Sequence, residues 1–440
     1  MPNAFAVVEK TIAELREALA AGEVTSVELV RLYLARIKTY DTNGIKLNSI
    51  VALNENALAE AEESDARRAA GKTLGPLDGI PFTAKDSYKV KGMSVAAGSP
   101  AFQNLVATSD AFSIKVLRDA GCVLIGLTNM PPMANGGMQR GLYGRAESPY
   151  NENFLTSAFA SGSSNGSGTA TAANFASFGL GEETWSSGRA PASCNALCAY
   201  TPSRGMISIR GNWPLVPTMD VVVPHTRNMA DLCELLDVLV VEDSETAGDF
   251  WRMQPWVELP KTFAIHSESF VSVHRKAVET SKAPRPLAGV RLAAPKMFLG
   301  LDPDQGTGTG MGSVTGQRIE PRASMLKLWE SFVSELEAAG AEVVLTDFPV
   351  VTNYEADRAG APNVFNRGIV PEEFFEAEIW DLSIWSWDYF IKLNGQPDLD
   401  SITKVDGPKI FPAPLGALKD RYAEFDLDPN DYVVRANEVG

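Results

Sequence analysis

Residues 161–193 read SGSSNGSGTATAANFASFGLGEETWSSGRAPAS and contain eight serines with no histidine or lysine. A serine attacks a carbonyl only if some group takes its proton, so the base must come from elsewhere in the chain. The whole sequence holds three histidines, His225, His266 and His274. A lysine can serve if burial and its neighbours lower its pKa enough for a neutral amine to exist near pH 7. Lys85 ends the apolar run GPLDGIPFTAK after a Pro/Gly turn, whereas most other lysines sit in polar surroundings. A lysine at a strand end can equally well extend into solvent.

Two other readings of the serine-rich stretch are available. GSSNG at 162–166 fits GxSxG, which would make Ser164 the nucleophile of an α/β-hydrolase elbow. That motif needs a strong strand before it, and NENFLTSAFAS is too polar to supply one. A phosphate-cradling loop would need the lysine of GxxxxGK[ST], which is missing. Ser324 and Lys327 form an SxxK on an amphipathic helical stretch, a pairing that chance explains. The loop could also be only a turn with solvated serines, but GLGEETWSSGRAPAS again interrupts an apolar run with small and polar residues. Two such loops joined by one helix can face each other across a pocket.

These segments together resemble the amidase signature family of serine hydrolases. The resemblance is carried by GPLDGIPFTAKD, AGCVLIGLTNMP, ASGSSNGSGTATAA, GLGEETWSSGRAPASCNALCAYTPSRGMIS and DVVVPHTRNMADL. It implies a Ser, cis-Ser, Lys triad on an α/β/α sandwich with a central mixed β-sheet flanked by helices. Matched by motif, Lys85 is the base, Ser163 the relay serine whose peptide bond is cis, and Ser187 the nucleophile. Backbone amides of Thr184, Trp185, Ser186 and Ser187 would form the oxyanion hole. Trp185 and Ser186 stand where the family usually has two glycines, and Glu183 where an aspartate is common, while Arg189 follows at its expected place. Trp185 and Met130 are the expected substrate-pocket residues.

The implied activity is hydrolysis of a C–N acyl bond in an amide, anilide or carbamate, with an aryl or apolar substrate favoured by Trp185. The aromatic-rich segment 374–391 reads chiefly as a helical core face and secondarily as part of a substrate mouth. Glutaminase activity within a tRNA-dependent complex ranks lower, and no residue pattern assigns a partner protein or tRNA. A catalytically impaired binding homologue is the remaining alternative, suggested by the altered oxyanion loop.

The elements that must position these residues follow from local pattern. TSVELVRLYLARI opens with a capping box in Thr25 and Glu28 and continues with helical apolar spacing. From about residue 76, short apolar runs alternate with turns and helical stretches, which predicts an α/β core. The expected organisation is one domain over 1–440: an N-terminal helical region (1–70), the signature core (71–240), an insertion (243–286) and a C-terminal part (287–440). LAGVRLAAP reads as a strand, and the segment from ASMLKLW to VVLTDFP as a long helix followed by a strand. DQGTGTGMGSVTG between them reads as a flexible loop. The resemblance implies further strands beyond the 394–407 segment, where this sequence ends at YVVRANEVG.

A formal net charge of -16 disfavours nucleic-acid and anionic-membrane binding. No apolar window approaches the ~18 residues of a spanning helix, and the first residues lack a signal-peptide pattern, so the cytoplasm is the expected location. Cys122, Cys194, Cys198 and Cys233 read as small buried side chains, with no ligand pattern for a metal and no cofactor implied.

Overall fold

The strand Pro81–Lys85 (β2) is buried along its whole length, as a run with no polar alternation must be when both faces of a sheet are covered. It lies centrally in a six-stranded sheet of order β1-β3-β2-β4-β6-β5. The other strands are Ile50–Leu53 (β1), Val123–Thr128 (β3), Phe178–Glu183 (β4), Cys198–Ala199 (β5) and Val221–Thr226 (β6). β2 runs parallel to β3 and β4, while β1, β5 and β6 pair antiparallel to their neighbours. The fold is therefore α/β with a central mixed sheet flanked by helices. The structure is a computed structural model and describes residues 5–258, 268–309, 318, 320–412 and 429–439.

Helices Ile12–Ala21 (α1) and Ser26–Arg36 (α2) each begin with a complete capping box, from Thr11 and Glu14 and from Thr25 and Glu28. Each box satisfies two otherwise unpaired N–H groups. The buried stripe Leu29, Val30 and Tyr33 of α2 joins the core around the sheet. In that core the Phe82 and Phe178 rings stack 5.5 Å apart, tying β2 to β4. Such a pair adds about 0.5–1.5 kcal/mol beyond its area burial.

Most of the aromatic segment 374–391 lies in the helix Asp381–Asn394, while its first residues belong to the separate helix Glu372–Ile379, where Phe374 is exposed. Trp387 and Phe390 are buried in a second apolar cluster with Trp213 and Phe102. Trp387 Nε1 donates to Pro214 O at 2.7 Å, and the Trp213 and Phe390 rings stack at 4.1 Å. The helical core face expected of this segment is present, and Trp385 on the same helix is 42% exposed.

The chain forms two compact units where the sequence suggests one domain: Met1–Val271 with Glu378–Gly440, and Ser272–Ala377. The physical reason is sheet closure. Arg291–Pro295 (β7) and Glu342–Thr346 (β8), the expected strands, pair parallel in a two-stranded sheet and do not join the larger one. The expected insertion contains the helices Phe250–Met253 and Phe270–Ser281, and its residues 259–267 lie outside the described residues. Residues 310–316 of the expected flexible loop lie outside them as well.

Candidate active site

Three elements converge on Lys85. It closes β2 beside Gly181 of β4, because the register pairs Thr83 with Gly179 and Ala84 with Leu180. The helix Asn165–Ala172 (α3) packs on these two strands. Glycine is required at 181 because a Cβ there would come within 3.0 Å of Ser164 Oγ and 2.9 Å of His225 Cε1. That close approach brings the serine-rich turn onto the strand that carries the second loop.

Lys85 is fully buried, and its Nζ donates to Ser163 Oγ at 2.7 Å. Burial pushes its pKa below the ordinary lysine value, while the nearby carboxyls of Glu182, Asp220 and Glu183 pull it back up. The expected cis bond at Ser163 is absent: every peptide bond among the described residues is trans. The turn is made by Gly162, whose φ of 96° is a left-handed conformation that glycine adopts without strain. A trans bond avoids the ~2.5–4 kcal/mol that a cis non-proline bond costs.

Ser187 is 7% exposed, at the end of the loop that follows β4. Its carbonyl accepts from Ser164 N at 3.1 Å, joining the two serine loops. Glu183 shapes the loop from below. Its Oε2 accepts from Gly188 N at 3.1 Å and Arg189 N at 2.8 Å, and its Oε1 accepts from Arg189 Nε at 2.6 Å. The backbone N–H groups of Trp185, Ser186 and Ser187 make no hydrogen bond among the described residues. No hydrogen bond among them links the Ser187 hydroxyl to Ser163, a looseness common in ligand-free serine sites.

Ser164 has a different task. Its hydroxyl donates to Glu182 O at 3.0 Å and accepts from Glu182 N at 3.1 Å, so it is occupied by the β4 backbone. No strand lies between Thr128 and Ser164 to lead into it. The buried imidazole of His225 faces Gly188 O through Nε2 at 2.9 Å and Ser167 Oγ through Nδ1 at 3.1 Å. Burial pushes its pKa down to about 4, so the neutral ring donates from Nε2 and accepts at Nδ1. The elbow reading therefore lacks both its strand and its base.

The expected pocket residues separate. Met130 is 1% exposed and packs in the aromatic cluster with Trp213 and Phe102, while the Trp185 indole is 52% exposed. Ser324 and Lys327 are exposed on the helix Ala323–Ala338. The four cysteines are free thiols; Cys122 and Cys233 are buried as expected, whereas Cys194 is exposed and Cys198 partly so. Among the described residues no group of three His, Cys, Asp or Glu side chains could hold a metal ion, and no helix is long and apolar enough to cross a membrane.

Sequence reasoning missed the acidic surround of Lys85. Glu182 is buried, accepts a hydrogen bond from Ser87 Oγ and has its pKa raised by burial. Asp220 accepts from Thr184 Oγ1 at 2.6 Å and is pushed up to about 8 by burial and by Glu182. Asp86, next to Lys85, accepts from Gly98 N at 2.9 Å through Oδ2, leaves Oδ1 without a partner, and is pushed up to about 8 by burial. The available signal is GLGEE, where two acids close a run otherwise apolar or glycine.

The sequence and the fold are similar to those of known proteins. A glutamyl-tRNA(Gln) amidotransferase subunit from Ralstonia nicotianae is 32% identical over 341 residues, covering 77% of this chain and 62% of that protein. The corresponding subunit of Halorhodospira halophila is 29% identical over 350 residues, 79% of this chain and 64% of its own length. The chain thus spans less than two thirds of the length of these relatives. The structure of native peptide amidase from Stenotrophomonas maltophilia superposes with a TM-score of 0.68 at 26% identity, covering 98% of this chain and 76% of that one. The family model described as Amidase matches residues 28–266. That match spans more than half of the 440 residues, and the chain belongs to the amidase family.

Proposed function

We propose that the protein hydrolyses a C–N acyl bond in a small aryl or apolar amide, anilide or carbamate, with Ser187 as nucleophile, Ser163 as proton relay and Lys85 as base. The observation that carries this reading is the 2.7 Å contact between Lys85 Nζ and Ser163 Oγ in a fully buried setting, one loop away from Ser187. Desolvation favours the neutral amine a base must be. Ser187 Oγ attacks the carbonyl carbon as its proton passes to Ser163 Oγ and the Ser163 proton passes to Lys85 Nζ. The free N–H groups of Trp185, Ser186 and Ser187 suit them to bind the oxyanion.

Collapse of the tetrahedral intermediate breaks the C–N bond, and the relay returns the proton to the departing amine. Water, deprotonated through the same relay, then attacks the acyl-enzyme and releases the acid and Ser187. With a carbamate, the acyl-enzyme is a carbonate ester whose hydrolysis yields alcohol and carbon dioxide.

Family membership and the likeness to a peptide amidase support the bond type. The half-exposed Trp185 beside the nucleophile loop supports the aryl preference. The test is a panel of aryl amides, anilides, carbamates and glutamine, assayed with the parent protein and with Ser187→Ala. Turnover of an aryl substrate that Ser187→Ala abolishes supports the reading. Turnover of glutamine alone would assign the chemistry suggested by the amidotransferase relatives instead, and retained turnover in Ser187→Ala would defeat the triad.

A further inference from the structure

A cavity of about 180 Å³ lies in the larger unit, apart from the triad: none of Lys85, Ser163 or Ser187 lines it. Lys89, Asn212, Arg210, Asp110 and Glu245 are among its polar lining. Its apolar walls include Phe250, Trp385, Tyr389 and Phe390. The Trp385 and Tyr389 rings stack with centroids 5.0 Å apart. A cavity of about 150 Å³ with apolar walls is known to admit benzene, so this one has room for a single ring with a small substituent.

The polar end is unsatisfied. Asn212 is 4% exposed; its amide lies close to the Glu182 carboxyl and the Tyr88 hydroxyl, yet neither its oxygen nor its nitrogen reaches hydrogen-bond geometry with any group. A buried amide left unpaired is destabilising unless a ligand or water completes it. Lys89 is also buried and forms no ion pair among the described residues. The charged groups around it are otherwise engaged: Arg210 binds Asp243 and Glu245, and Asp110 binds Arg118. Burial, with the neighbouring Arg210 guanidinium, lowers the pKa of Lys89. The group that complements these two side chains is an anion that also accepts from an amide N–H.

We propose that this cavity is a binding site for a small aromatic carboxylate, with the carboxylate on Lys89 Nζ and the Asn212 amide and the ring between Trp385, Tyr389 and Phe390. A carboxylate offers two acceptor oxygens, one for the ammonium and one for the amide N–H. The site adjoins the catalytic machinery through two short paths. Lys89 is four residues beyond Lys85, and its N–H donates to Gly211 O at 3.0 Å, next to Asn212. Asn212 in turn stands beside Glu182, whose charge bears on Lys85. An aromatic acid held here is thus placed to act on the triad without occupying it.

The test is calorimetric titration of the full chain with benzoate, using benzyl alcohol as the uncharged control and acetate as the control without a ring. Saturable benzoate binding is expected, weaker for both controls, and unchanged after Ser187 has been sulfonylated. Lys89→Met and Asn212→Leu should each weaken it about tenfold or more, while both keep the circular dichroism spectrum and urea midpoint of the parent as evidence of folding. Absence of saturable binding, or parent-like binding in both variants, would overturn the proposal. Loss of binding on sulfonylation would assign the ligand to the catalytic cleft and overturn it equally. The binding arms need no active Ser187, so failure of the triad assignment silences only the sulfonylation control and leaves the rest of this test intact.

Discussion

Lys85 Nζ lies 2.7 Å from Ser163 Oγ, with the lysine fully buried, so a proton can pass between them directly. The contact links the end of a central strand to the turn before α3, so it depends on β2–β4 pairing as much as on the two side chains. Lys85→Ala removes the base and Ser163→Ala the relay. Each is expected to lower kcat/KM by roughly 10²–10⁴-fold, the usual contribution of a positioned base. Steady-state kinetics on the best aryl substrate, with circular dichroism to verify folding, checks this; a loss under tenfold in either variant would contradict the relay.

The carboxyl of Glu182 raises the pKa of Lys85 against the lowering effect of burial. Glu182→Gln keeps an acceptor for Ser87 Oγ and removes that charge. The ammonium loses a stabilising partner, so the lysine gives up its proton more readily and the acidic limb of the pH–rate profile moves to lower pH. A displacement on the order of one unit corresponds to about 1.4 kcal/mol of interaction. A limb that stays in place or moves to higher pH would show that Glu182 does not bear on the base.

Asp86 should set a measurable pH dependence of stability. Its folded pKa is pushed up to about 8 from an ordinary value of 3.8, so between these limits the native state holds a proton the unfolded state has lost. Stability from this group is complete below pH 4 and is lost as pH rises towards 8. Asp86→Asn retains the acceptor for Gly98 N and does not titrate. Its unfolding free energy from urea titration should therefore rise relative to the parent on going from pH 5 to pH 8, by an amount on the order of a few kcal/mol. A gap between the two proteins that is the same at both pH values would contradict the account.

Gly162 holds a φ of 96°, and a Cβ there would fall 1.8 Å from Ser157 Oγ and 3.1 Å from Pro191 Cδ. Gly162→Ala combines left-handed strain of about 1–2 kcal/mol with that collision. A lowered Tm and slower sulfonylation of Ser187 are expected together, because the turn that aims Ser163 has to shift. Parent-like labelling would show that the turn does not govern the relay.

Much of this site is legible in the sequence because its chemistry depends on local motifs. Lys85 stands out as the one lysine closing an apolar strand, and the two small-residue loops stand out as interruptions of apolar runs. The positions of Ser163 and Ser187 follow from resemblance, since nothing in residue type separates them from Ser164 or Ser186. Ser164 is set apart only by its bonds to the β4 backbone, which depend on strand and helix meeting in space.

Glu182 and Asp220 come from different parts of the sequence, and their joint effect on Lys85 arises from the sheet order. Met130, expected in the substrate pocket, is instead enclosed in a core with apolar side chains of the 381–394 helix, which lie far from it in sequence. The second compact unit is hidden in the sequence because its strand and helix patterns look the same whether they extend the main sheet or build their own.

The most direct measurement is intact-mass and peptide-map analysis after treatment with a serine-reactive sulfonyl fluoride, run on the parent protein and on Lys85→Ala. A single adduct on Ser187, lost or slowed by roughly 10²-fold or more without the lysine, is the predicted result. An adduct on Ser164, or an adduct on Ser187 that forms equally fast without Lys85, would contradict the account.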